Sequence, residues 1–342
     1  MRRVTPLRTE LFPLLALLLV GCGSESSSSP TTGSGGAAGA GGAGGAVSLE
    51  SQVDAARLQS DVELIAKPRP PGSAQWQAVQ DLCAERFAQY GFEVERQKYA
   101  TGVNVIGRLA GKTKPAEQVI VSAHYDHISG CPGADDNASG VAGVLETARI
   151  LSQAQYERSL VVACWDEEEA GLIGSEAYAA RAAQQGDTVA SMVSLEMIGY
   201  RDTAPNSQSV PAGFNLLFGD EYAKIEANQF RADFVAIVAI DSASTAANAM
   251  RSHAEPELPT ALLLLDSAQA QSPLLADLTR SDHASFWQHG YPAIMLTDTS
   301  NFRYAQYHCI GGDDVPSLLD YGFMAAITRA NLSAQVDVLG RL

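Results

Sequence analysis

Cysteine is scarce in this chain, at five residues in 342. That excludes a small fold held by disulfides in place of a core. Basic side chains are also few: 23 Lys and Arg stand against 39 Asp and Glu, a formal charge of −16. A surface this acidic repels phosphate backbones, so nucleic acid is not an expected partner. Long apolar runs are missing too. The most apolar stretch, residues 11–20, is about half of the roughly twenty residues that span a hydrocarbon core. Charged residues make up only 18% and hydrophobic ones 46%, which excludes a wholly disordered chain.

Arg2, Arg3 and Arg8 precede the apolar stretch, and Gly21-Cys22 follows it. A basic end, a short apolar run and small residues read as a cleaved secretory signal. Leu19-Val20-Gly21-Cys22 also resembles the lipobox of bacterial lipoproteins. That implies a lipidated Cys22, export and attachment to the cell envelope, or secretion if the lipobox is not used. Residues 23–47 are almost all Gly, Ala, Ser, Thr and Pro, and ten of the 30 glycines lie between Gly21 and Gly45. Such a segment cannot bury a core and reads as a flexible linker. The chain thus divides into a signal (1–22), a linker (23–47) and one folded domain (48–342). Arg2, Arg3 and Arg8 against Glu10 are a net +2, so loss of the signal takes the charge from −16 to −18.

Within the domain, apolar spacing predicts helices over 48–66 and 74–90, separated by Pro68-Arg69-Pro70-Pro71-Gly72. Residues 92–99 and 103–109 alternate like antiparallel strands, and 119–123 is a short apolar run suited to a strand buried on both faces. The pattern then becomes helix 141–151, strand 159–165, helix 174–184 and strand 190–195. Further strands are expected at 234–240, 261–265 and 293–296, and a closing helix at 316–336. This alternation predicts an α/β fold: a three-layer α/β/α sandwich with a mixed, mostly parallel sheet. Residues 201–232 and 241–260 resist placement.

Four segments concentrate metal-ligand side chains, each at a strand end or in a loop, where sites form in open α/β sheets. His124-Tyr125-Asp126-His127 follows the first buried strand; at i and i+2, Asp126 can accept a hydrogen bond from His124 and fix its tautomer. Asp135-Asp136-Asn137 precedes a helix, where Asn137 or Ser139 could equally serve as an N-cap. Asp166-Glu167-Glu168-Glu169 follows another apolar strand; four adjacent acids need a cation nearby unless they are simply a solvated helix start. Glu196 ends a third apolar strand, a place where a carboxylate is paired, protonated or metal-bound.

With Arg69-Pro70-Pro71-Gly72-Ser73, Ser281-Asp282-His283, Gly290-Tyr291-Pro292-Ala293 and Tyr307-His308, taken in order, the sequence resembles the M28 zinc aminopeptidases over most of the domain. The resemblance implies a peptide-bond hydrolase, a zinc-dependent aminopeptidase acting on peptides with a free N-terminus. It implies two Zn²⁺ ions, a hydroxide bridging them and a glutamate general base. One ion would take His124, Asp136 and Glu196; the other Asp136, Glu169 and His308. Glu168 would be the base, and Tyr307 either steadies the oxyanion or packs beside His308. Asp126, Asp282 and His283 would support the ligands, and a cis peptide is implied at Asp136–Asn137. Two imidazoles and three carboxylates suit zinc, and a monomer is expected.

The chain departs from the family at two points. Glu196 stands where Asp is frequent, and the Tyr307-His308 loop continues as Cys309-Ile310-Gly311-Gly312-Asp313-Asp314. If Cys22 is acylated, Cys83, Cys131, Cys164 and Cys309 allow three pairings. Cys131–Cys309 is favoured because both lie on expected site loops, with Cys83 and Cys164 as buried apolar residues. His127, His253, His283 and His289 find no donor position left, and His253 and His289 are expected at the surface. Two other readings remain: a carboxypeptidase or other amidohydrolase on the same scaffold, and a non-catalytic binding lipoprotein. The second is disfavoured because the base and all ligand positions are retained.

Overall fold

The computed structural model describes residues 48–342. The signal, Cys22 and the linker lie outside the described residues. Eight strands form one sheet: β1 (Glu93–Lys98), β2 (Val103–Leu109), β3 (Lys114–His124), β4 (Arg158–Trp165), β5 (Thr188–Glu196), β6 (Val235–Ile240), β7 (Thr260–Leu265) and β8 (Ala293–Thr297). Their order is β1-β2-β4-β3-β5-β8-β6-β7. The four central strands β4, β3, β5 and β8 are parallel. β1 and β2 add antiparallel pairs at one side. At the other side β6 and β7 are parallel to each other but run opposite to β8.

The helices are α1 (Ala55–Ile65), α2 (Ala74–Gln89), α3 (Gly140–Leu151), α4 (Ile173–Gln185), α5 (Phe214–Leu217), α6 (Gly219–Ala227), α7 (Ser244–Ala254), α8 (His283–Gln288) and α9 (Tyr321–Leu339). α3 leads from β3 to β4 and α4 from β4 to β5, so the chain steps out on one side of β3 and returns on the other. Right-handed crossovers in opposite directions put their helices on opposite faces. α3 packs with α1, α2 and α9, α9 in turn with α7, while α4 packs with α8. The reversal at β3 opens a crevice at the carboxyl ends of β3 and β5, where α/β sheets bind ligands. The apolar runs explain the centre: Val119, Ile120, Val121 and Ala123 are wholly buried, as are Val161, Val162 and Ala163.

Two expectations about boundaries change. The closing helix begins at Tyr321 rather than 316, because Asp320 caps it by accepting from the Gly322 and Phe323 amides; Pro316–Leu318 is a single 3-10 turn. The first helix likewise starts at Ala55, after a 3-10 turn, where Asp54 accepts from the Ala56 amide. The segments that resisted placement hold the short α5 and α6 and, further on, α7.

Candidate metal centre

The site grows from the carboxyl ends of three parallel strands. His124 is the last residue of β3 and Glu196 the last of β5, while Glu168 and Glu169 follow β4 on a turn. Between β3 and α3 the turn Ala134–Ser139 carries the cis peptide Asp136–Asn137. Asn137 clamps this turn to the end of β5: its Nδ2 donates to the Leu195 carbonyl, and its Oδ1 accepts from the Gly140 and Met197 amides. Gly133 is left-handed at φ 62°, and a Cβ there would lie 2.2 Å from the Asp136 carbonyl and 2.5 Å from the His127 ring. The two adjacent aspartates part ways. Asp136 faces the histidines, while Asp135 accepts from the Gly199 amide on the other side.

Asp136 is the centre of the arrangement. Its Oδ1 lies 3.3 Å from His124 Nε2, and its Oδ2 3.3 Å from His308 Nε2. His124 Nε2 is also 3.4 Å from Glu196 Oε2, and His308 Nε2 is 3.1 Å from Glu169 Oε2. Donors around a tetrahedral ion at zinc bond lengths stand about 3.3 Å apart. Neither ring nitrogen of the fully buried His124 has a hydrogen-bond partner, and a buried orphan of this kind costs stability unless something ligates it. The donor chemistry and spacing therefore fit metal: among the described residues His124, Glu168 and Glu196 stand close enough together to hold an ion, as do His127, Asp136 and Glu169. Burial by itself pushes the His124 imidazole down, yet Glu168, Glu196, Asp126 and Asp136 hold its pKa well above the ordinary value. His308 behaves likewise: burial opposes, but Asp136 and Glu169 raise it to about 10. So much negative charge around two imidazoles is the field a cation would neutralise.

Glu168 lies across from this pair, with Oε2 4.0 Å from His124 Nε2. Its turn is fixed from beneath. Asp166 accepts from Trp76 Nε1 and the Val103 amide, and Glu167 adopts φ 56°. Asp126 stands beside His124 without the hydrogen bond the sequence suggests, and serves the Glu168 turn instead. Its Oδ1 is 3.5 Å from His124 Nδ1, and its carboxylate accepts from the Glu168 amide at 3.1 Å and the Glu169 amide at 3.3 Å. Burial raises the Glu168 pKa well above the carboxylate range; His124 opposes this, and Glu196, Asp282 and Glu169 add to it.

Other expected residues fall as follows. Tyr307 stacks on the His308 ring at 3.9 Å, and the Arg280 guanidinium stands 5.7 Å over the tyrosine. Asp282 is buried; burial, against the pull of His124, raises its pKa to about 7. His283 lies buried beside the site. It bonds the Leu278 carbonyl and packs edge-on against Trp287, so it orders the loop without touching any of the donors. Ser281 is the neighbour that reaches a donor, giving a 2.8 Å hydrogen bond to Glu196 Oε2. Cys131 and Cys309 are joined by a disulfide, and Cys83 and Cys164 are buried free thiols. His253 pairs with Asp337, and His289 with Glu176.

His127, for which the sequence offers no donor position, is buried inside the site. Its Nδ1 is 2.7 Å from Glu169 Oε1 and 3.9 Å from Asp136 Oδ1, which orients Glu169 toward His308. Two further supports were not foreseen. Arg69, completely buried, donates to the carbonyls of Tyr125, Pro132, Gly133 and Asp136. Asp314 accepts from the Asp135 and Asp136 amides and from the Tyr304 hydroxyl. Arg69 had a signal, since it lies in one of the segments shared with the family. His127 sits three residues from His124, beyond the reach of strand alternation.

Beside the donors is a cavity of about 380 Å³. Asp136, Glu168, Glu169 and Glu196 line one part, and Phe214, Phe234, Val238, Leu263, Met295 and Phe302 give it an apolar part. Because β6 and β7 run opposite to β8, their starting residues come to the sheet edge at which β3 and β5 end.

Residues 104–334 match Peptidase family M28. The chain is 36% identical over 224 residues to the uncharacterized protein YfbL of Escherichia coli strain K12, covering 61% of this chain and 63% of that one. It is 26% identical over 301 residues to a probable zinc metalloprotease of Pyrenophora tritici-repentis, covering 75% and 59%. To leucine aminopeptidase 1 of Chaetomium globosum it is 25% identical over 280 residues, covering 76% and 60%. The match thus spans about three-fifths of the length of these relatives. Among solved structures, LapB from Legionella pneumophila superposes with a TM-score of 0.65 at 20% identity, covering 85% of this chain and 74% of that one. The aminopeptidase from Aneurinibacillus sp. strain AM-1 gives 0.64 at 16%, covering 86% and 96%. At these identities the likeness is one of fold. The family match takes in every expected donor, from His124 to His308, and on that breadth the chain belongs to peptidase family M28.

Proposed function

We propose that this chain is a zinc-dependent aminopeptidase that holds two Zn²⁺ ions and hydrolyses the N-terminal peptide bond of its substrates. The observation that carries this reading is the Asp136 carboxylate, with one oxygen 3.3 Å from His124 Nε2 and the other 3.3 Å from His308 Nε2. His124, Asp136 and Glu196 would hold one ion, and Asp136, Glu169 and His308 the other. Bound there, the ions would supply the positive charge that acidifies a water and polarises the scissile carbonyl.

The chain's own residues do the rest. Glu168 accepts the proton of the attacking water and passes it to the departing amine; its backbone amide is fixed by Asp126. Its burial favours a group that is content to carry a proton between those two events. Tyr307, stacked on His308, would offer its hydroxyl to developing charge on the carbonyl oxygen. Glu196 is one methylene longer than aspartate, and Ser281 takes up the slack by holding one of its oxygens. The apolar part of the cavity receives the substrate's first side chain.

The test is hydrolysis of aminoacyl-p-nitroanilides. Activity should vanish with a chelator, return with zinc, and be absent on N-acetylated substrates. If acetylated and free-amine substrates are cut equally fast, the aminopeptidase reading fails in favour of another amidohydrolase. The same reading places the protein outside the cytoplasm, tethered by a lipid on Cys22, on the strength of Leu19-Val20-Gly21-Cys22 and the linker behind it. Palmitate labelling that persists in Cys22→Ser would refute the anchor.

A further inference from the structure

We propose that the Cys131–Cys309 disulfide is a positioning element for His308, so that breaking it loosens one metal position and spares the other. The inference rests on the two-zinc reading above. His308 and Cys309 both adopt left-handed backbone, at φ 52° and 55°, a conformation that non-glycine residues hold only when their surroundings enforce it. The turn's own hydrogen bonds are local: the Cys309 amide to the Gln306 carbonyl, Ile310 to Tyr307, and Gly311 to Ala305. They shape the turn without fixing it to the sheet.

The disulfide supplies that attachment. Its far end, Cys131, is fully buried. The next two residues, Pro132 and Gly133, give their carbonyls to the Arg69 guanidinium, which also holds the Asp136 carbonyl. The bridge therefore ties His308 to the same segment that carries Asp136, its co-donor. A second, weaker tie is the Asp314 amide on Cys309 Sγ at 3.4 Å. Asp314 in turn accepts from the Asp136 amide. Arg69 also reaches the Tyr125 carbonyl, one residue past His124, but neither His124 nor Glu196 has its position set by the bridge. They are the terminal residues of β3 and β5, neighbouring strands whose registers are set by backbone bonds.

The experiment is zinc titration of the full folded domain against a chromophoric chelator, with the wild type and the Cys131→Ser, Cys309→Ser double variant. The oxidised wild type should bind two zinc ions. The double variant should keep one at unchanged affinity and bind the other at least about tenfold more weakly, as for loss of a ligand's support. In a His308→Ala background, removing the disulfide should change zinc binding by less than about twofold, since its effect runs through His308. A folded double variant that binds both ions with wild-type affinity overturns the proposal. Equal weakening of both positions also overturns it, because that is general destabilisation.

If the double variant does not fold, zinc-loaded wild type is treated with a water-soluble phosphine. The disulfide takes up two electrons and two protons to become two thiols, and the phosphine becomes its oxide with the oxygen of water. Release of one zinc as two native thiols appear supports the proposal; two zinc ions retained with both thiols titrated overturns it. If the oxidised wild type itself binds fewer than two ions, the two-zinc reading falls, and this inference with it.

Discussion

The two ends of the candidate centre are built differently. His124 and Glu196 stand on the last residues of adjacent parallel strands, and the His124 side chain is 1% exposed. Glu169 and His308 stand on loops, and the His308 side chain is 29% exposed. The strand end is positioned by the sheet, with Ser281 and Asn137 each giving Glu196 Oε2 a hydrogen bond. The loop end requires His127 on Glu169, Asp126 on the Glu169 amide, and a covalent bridge next to His308. The lesson is that a donor on regular structure inherits its position from backbone hydrogen bonds, while a donor on a loop must have its position built by other side chains.

Four experiments would break or sharpen that contrast. The largest effect should come from Glu168, which serves both ends. Glu168→Gln should lower kcat by about 10²- to 10⁴-fold with zinc content unchanged; near-normal turnover would remove it as the base. Next comes Arg69, whose loss orphans four carbonyls around the Asp136 turn. Arg69→Met should cost about 3–5 kcal/mol, read in urea unfolding, and the His308 position should lose zinc before the His124 position does.

His283 gives a pH-dependent effect away from the donors. Burial lowers its pKa from 6.5 to about 4. The fold favours the neutral ring, so its contribution is complete above pH 6.5 and is lost as pH falls from there toward 4. Across that window the loss approaches about 3 kcal/mol. His283→Gln should flatten the acid limb of stability relative to wild type; parallel limbs would show that the ring titrates normally. The smallest effect belongs to the strand end. Ser281→Ala should weaken zinc at the Glu196 position by about tenfold; a larger loss there than at the His308 position in the disulfide variant would invert the contrast.

The same division decides what was legible in the sequence. The central strands announce themselves through runs such as Val119-Ile120-Val121, and a His or Glu closing such a run stands out because apolar surroundings leave it few alternatives. The supports of the loop end do not stand out. Arg69 acts on carbonyls 56 to 67 residues away, and Asp314 on amides 178 and 179 residues away. Nothing local marks those contacts. His127 follows the end of β3, where the two-residue period that tied Asp126 to His124 no longer says which way a side chain points. The cavity wall was illegible for another reason. Phe214 begins a helix of four residues, too short to show a period.

The reversed direction of β6 has a consequence for how such a protein can change. Phe234 precedes β6, Ala236 and Val238 lie on it, and Ala261 and Leu263 lie on β7; all of them line the cavity. β8 separates these strands from β5 and Glu196. On the proposed reading, the β6 and β7 residues that select a side chain lie in a stretch of the chain separate from the residues that cut the bond, which fall at 124–196 and at 307–308. A larger residue at Ala236 or Ala261 would resize the cavity with Glu196 still two or three strands away, respectively. New preferences can then arise by single substitutions in that stretch while the chemistry encoded outside it is inherited intact.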